Sequence, residues 1–147
     1  MFIVTLMNKT VITISILLTI GILLGIIVLE SNRTKGLTKS LNEVLSSKDI
    51  VYFYGNTCPR CKDLEDFIDK NKIEEKIIIV KKEVYSNQSN STVLSKVAEK
   101  CNIKSSDVGV PFVYFEGKCL IGEPDIKRLL SEKVGLEVME SSSTPTQ

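Results

Sequence analysis

Two cysteines enclosing a proline and an arginine, Cys58-Pro59-Arg60-Cys61, are the residues of this chain best suited to chemistry. Thiols at that spacing can hold a metal, staple the backbone or exchange electrons. The chain contains no histidine, which removes the commonest general base and metal ligand, and with it Ser-His, Cys-His and His-rich zinc chemistry. A structural zinc needs four ligands, commonly from two such hooks. The remaining cysteines, Cys101 and Cys119, stand far apart and do not make a second hook. A purely structural bridge between Cys58 and Cys61 would close too small a loop to gain much chain entropy. Redox exchange is the leading reading; a non-catalytic module using the cysteines for a metal or a structural disulfide is the alternative.

The flanking sequence positions the pair. The run from Asp49 to Gly55, DIVYFYG, is compact, β-branched and aromatic, and predicts a buried strand ended by glycine. Pro59 suits the first turn of a helix, where its missing N–H has no partner to lose, and Leu64, Phe67 and Ile68 supply an apolar face. Cys58 then falls at a helix N-terminus and Cys61 one turn inside. The unpaired N–H groups and positive dipole end there stabilise a thiolate, the form that attacks a disulfide. Arg60 and Lys62 add positive charge. Cys58 is expected to attack and Cys61 to resolve the mixed disulfide. Lys62 and Glu65 read as solvated helix residues.

Further along, EKIIIVKKEV predicts a second strand, with the run Ile77–Val80 buried on both faces in a parallel pairing. Ser91 or Thr92 is expected to cap a helix carrying Val93, Leu94, Val97, Ala98 and Cys101. PFVYFEGKCLIG predicts a hairpin turning at Glu116-Gly117, and Pro124-Asp125 opens a last helix with Ile126, Leu129 and Leu130. A β-α-β unit followed by β-β-α gives an α/β fold with a mixed four-stranded sheet between helices.

Before this lies VITISILLTIGILLGIIVL, uncharged from Val11 to Leu29. About 20 apolar residues cross a bilayer core, and the segment is longer than a signal-peptide core and lacks a small-residue cleavage site after it. It reads as an uncleaved anchor. Residues 1–30 are thus taken as a transmembrane helix, 31–47 as a linker and short amphipathic helix with Leu37, Leu41, Val44 and Leu45, 48–136 as the globular domain, and 137–147 as a disordered tail. Arg33, Lys35 and Lys39 follow the span, which by the positive-inside rule favours a cytoplasmic domain. A redox domain tied to a membrane fits an oxidising compartment better, and an extracytoplasmic domain is expected. The Asn-x-Ser/Thr triplets at Asn32, Asn87 and Asn90 are too short to decide the side. Nineteen Lys and Arg balance eighteen Asp and Glu, so nothing in the charge points to nucleic acid.

From TCPRC after a strand, VGVPFVYF about fifty residues later and GKCLIGEPDI before the last helix, residues 48–134 resemble the thioredoxin superfamily, and within it the glutaredoxin-like members. The resemblance implies a three-layer fold, a cis peptide bond before Pro111, and substrate contacts from Pro59, Arg60, Val110 and Pro111. It implies that the backbone at Val110 pairs with an extended substrate chain. Three positions depart from the pattern. Thr57 replaces the tryptophan that thioredoxins carry before the first cysteine, and Tyr52 replaces the buried carboxylate thought to take the proton of the resolving thiol. Gly122-Glu123 replaces the Gly-Gly pair over which glutathione lies in glutaredoxins, setting an anion where an anionic ligand would bind. Protein dithiols and disulfides are therefore the expected partners, ahead of glutathione. No cofactor or metal is expected, and whether Cys101 and Cys119 bond to each other is left open.

Overall fold

The structure, a computed structural model, describes residues 2–136, with side chains described for 9–28 and 34–136. The tail expected at 137–147 lies outside the described residues. The chain divides into two compact units, Met1–Lys39 and Ser40–Gln147.

Helix α1 runs over Phe2–Ser46. Its segment Lys9–Val28 has a mean hydropathy of 2.9 and none of it is buried in the protein, so it is long and apolar enough to cross a membrane. Residues 31–36, expected as a linker, are helical. The stretch holds no proline, and Gly36 is its one strongly unfavourable helix residue.

In the second unit, β-branched and aromatic residues build strand β1, Ile50–Tyr54. It is followed by α2, Pro59–Lys70, then β2, Ile79–Glu83, and α3, Gln88–Lys100. The hairpin β3, Phe112–Phe115, and β4, Lys118–Ile121, leads into α4, Glu123–Val134. The sheet order is β2-β1-β3-β4, with β1 parallel to β2 and the other pairs antiparallel. Glu116 and Gly117 both take positive φ, 46° and 82°, as a tight hairpin turn requires.

Side-chain alternation along β1 fills both faces of the sheet. Ile50 and Tyr52 join Leu64 and Ile68 of α2, Val113 of β3, and Ile126 and Leu130 of α4 in one core. Val51 and Phe53 point the other way, and Phe53 meets Phe112 edge to face at 5.9 Å. Val93, Leu94, Val97 and Ala98 of α3 are buried. From the last turn of α1, Val44 is buried and the Tyr114 hydroxyl donates to the Leu45 carbonyl over 3.4 Å.

Two local expectations need correction. The Ile77–Val80 run is not buried on both faces, because β2 is an edge strand with a neighbour on one side only; Ile78 is 66% exposed. Helix α3 starts earlier than expected, because Asn87 accepts the Asn90 N–H at 3.1 Å and caps Gln88 onward.

Candidate active site

Strand β1 delivers the chain to Gly55, whose carbonyl accepts the Cys58 N–H at 3.1 Å. This turn sets Cys58 as the N-cap of α2, with extended backbone at φ −85°, ψ 115°, and Pro59 in the first turn. The Cys58 sulfur accepts the Cys61 N–H at 3.3 Å, using one of the donors that a helix start leaves unpaired. Its thiol also points to the Val110 carbonyl, 3.7 Å away. The Val110–Pro111 peptide bond is cis. Pro111 is buried, and its carbonyl accepts the Gly122 N–H at 2.9 Å, joining this turn to the start of α4.

The two thiols are free and differ in access: Cys58 is half-buried, whereas Cys61 is 1% exposed. Burial, then its hydrogen bond with Cys58, pushes the Cys61 thiol up to about 11. Tyr52 lies beneath the pair, 1% exposed, and its hydroxyl donates to the Cys61 carbonyl over 3.4 Å. Burial first, and the neighbouring Cys61 next, raise its pKa above the usual phenol value, so it stays protonated. A neutral phenol thus stands where a carboxylate would have offered a base.

Of the other residues singled out from sequence, Pro59 and Arg60 are exposed at the start of α2, beside Cys58. Lys62 pairs with Asp66 in solvent at 3.4 Å. Glu123 opens α4 and forms an ion pair with Lys127. Cys101, the C-cap of α3, is bonded to Cys119 on β4, their Cα atoms 6.2 Å apart. Two of the four thiols are therefore spoken for, and among the described residues no group of three Cys, Asp or Glu gathers as a metal cluster.

Two residues near the pair were not foreseen. Tyr85, just past β2, lays its ring on Gly55, and the Glu83 carboxylate holds the intervening loop. The usable signal was the parallel β1–β2 pairing, Tyr54 opposite Glu83, which brings both strand ends to one edge of the sheet.

No protein-family model matches the chain, and no curated protein matches it. Among solved structures, a buckwheat glutaredoxin–glutathione complex is 18% identical, covering 74% of this chain and 98% of its own, with a TM-score of 0.45. Oxidized glutaredoxin 2 from Chlamydomonas reinhardtii is 19% identical over 68% of this chain and 86% of its own, with a TM-score of 0.45. A wheat glutaredoxin is 20% identical over 68% and 93%, also at 0.45. The β-α-β and β-β-α units, the sheet order β2-β1-β3-β4 and the cis bond opposite the helix start make up a thioredoxin-like fold. The two free cysteines lie where strand β1 meets α2.

Proposed function

We propose that the chain is a membrane-anchored thiol-disulfide oxidoreductase, with Cys58 and Cys61 as its reacting residues and protein thiols and disulfides as its substrates. The observation that carries this reading is the Cys58 sulfur at the α2 N-terminus, facing the Val110 carbonyl at 3.7 Å with Cys61 sealed one turn behind. The Cys58 thiolate attacks one sulfur of a substrate disulfide; that bond breaks, a Cys58 mixed disulfide forms and the first substrate thiolate leaves. Cys61, after losing its proton, attacks the Cys58 sulfur. The Cys58–Cys61 disulfide forms and the second substrate thiolate departs, the pair having given up two electrons. Run backwards, the same steps oxidise a substrate dithiol.

Pro59, Arg60, Val110 and Pro111 are taken as the residues that contact the substrate at Cys58, with an extended substrate backbone added beside Val110. A protein chain suits this entry better than glutathione, because the acidic Glu123 follows Gly122, which is bonded to Pro111. The catalytic domain is taken as 48–136, tethered by the apolar segment of α1. The Cys101–Cys119 bond supports an extracytoplasmic position, since such bonds persist in oxidising compartments.

Trapping tests the roles. The full chain carrying Cys61→Ser should accumulate mixed disulfides with protein substrates through Cys58, and Cys58→Ser should accumulate none. Equal trapping by the two variants would overturn the assignment.

A further inference from the structure

Tyr85 is 57% exposed, yet it is held firmly. The Val84 N–H donates to the Tyr54 carbonyl at 2.9 Å, continuing the β1–β2 pairing past its last register pair. The Glu83 carboxylate then accepts the N–H groups of Tyr85, Ser86 and Asn87 at 2.7, 2.9 and 3.1 Å, together with the Ser86 hydroxyl. From α3, the Asn90 amide donates to the Glu83 carbonyl at 2.9 Å. The loop is thus clamped to the strand end from which the cysteine turn departs.

Its ring lies against Gly55. A Cβ at that position would come within 2.3, 2.5 and 2.6 Å of three ring carbons of Tyr85, a spacing that real atoms do not occupy. Gly55 is therefore the seat of the ring, and through its carbonyl it also fixes the Cys58 N–H. The ring carbon that bears the hydroxyl is among those lying against Gly55, which sets the phenol on the turn that leads into Cys58. Desolvation first, and the nearby cysteine sulfurs next, raise its pKa, so at neutral pH it is a donor that keeps its proton.

We propose that Tyr85 is a further active-site residue, whose hydroxyl hydrogen-bonds the reduced Cys58 sulfur and so sets the balance between the dithiol and disulfide forms of the pair. The inference rests on the redox reading of Cys58 and Cys61. A thiolate accepts a hydrogen bond more strongly than a disulfide sulfur does. A donor at this place therefore stabilises the reduced pair, and its loss moves the equilibrium toward the Cys58–Cys61 disulfide. In the test reaction the two thiols pass two electrons to oxidised glutathione; the pair's S–S bond forms, the glutathione S–S bond breaks, and two glutathione thiols are released. Tyr85 keeps its proton throughout.

The test is a titration of the full chain in detergent with glutathione redox buffers, reading the state of Cys58 and Cys61 by thiol alkylation and mass. Tyr85→Phe keeps the ring and removes the donor; it should shift the equilibrium constant about threefold toward the disulfide, about 14 mV for a two-electron couple. Gly55→Ala should displace the ring, shift the constant in the same direction, and add little to Tyr85→Phe in the double variant. A Tyr85→Phe titration superimposable on that of the natural chain, or full additivity of the two substitutions, would overturn the proposal. A natural chain whose pair does not titrate at any buffer ratio would instead defeat the redox reading itself.

Discussion

Cys58 begins a helix and Cys101 ends one, and the two cysteine pairs differ accordingly. At the start of α2 the Cys58 sulfur receives the Cys61 N–H and meets the positive end of the helix dipole. At the end of α3 the Cys101 N–H turns back to the helix carbonyls, and the Cys119 sulfur lies 3.9 Å from the Val97 carbonyl. Carbonyl oxygens and the negative dipole end disfavour a thiolate. One place thus suits a sulfur that cycles and the other a sulfur held in a permanent bond. The same side chain takes opposite roles because the backbone around it presents donors in one case and acceptors in the other.

The largest effect expected from this contrast is on activity. Cys58→Ser should lower disulfide-exchange turnover by about a thousandfold or more, since no other free thiol among the described residues is exposed enough to replace it. Turnover of the Cys101→Ser, Cys119→Ser double variant should stay within about twofold of the natural chain, at a temperature where both are folded. Loss of exchange in that folded double variant would break the distinction. Its own cost falls on stability. The bond closes a loop of 18 residues, so urea unfolding should show a loss of about 3 kcal/mol in the chain-entropy account.

A pH series sharpens the asymmetry inside the first pair. Because Cys61 is pushed up to about 11, its attacking thiolate is scarce at neutral pH. Release of substrate from a preformed Cys58 mixed disulfide should accelerate about tenfold per pH unit from 7 toward 10 and level off near 11. A flat profile across that range would show a base acting on Cys61, which neutral Tyr52 is not. The smallest effect concerns the loop carrying Tyr85. The Ser86 hydroxyl, and after it the backbone N–H groups, hold Glu83 down to about 2. A lowered carboxylate stabilises above its ordinary range and loses that contribution as the pH falls through about 2, so the clamp should persist at pH 4. In Glu83→Gln, hydrogen-exchange protection of the Tyr85 and Ser86 amides should drop about threefold.

Much of this arrangement was legible in the sequence because it is local. The strand before Cys58, the Pro59 helix start, the Glu116-Gly117 turn and the apolar faces of α2 and α4 follow from neighbours in the chain. The cis bond at Val110–Pro111 was implied by the resemblance rather than by any local pattern. What escaped depends on pairing across the fold. The Cys101–Cys119 bond needs α3 and β4 brought within 6.2 Å, and Tyr85 meets Gly55 only through the β1–β2 register. The exposure of Ile78 follows from β2 lying at the sheet edge, a place that its apolar run does not reveal.

Differential alkylation of the full chain across a series of glutathione redox buffers, read by mass for all four cysteines, tests the contrast most directly. Cys58 and Cys61 should pass together from blocked to labelled as the buffer becomes more reducing, while Cys101 and Cys119 remain bonded over the same range. Opening of both pairs at one potential, or of Cys101–Cys119 first, would contradict the account.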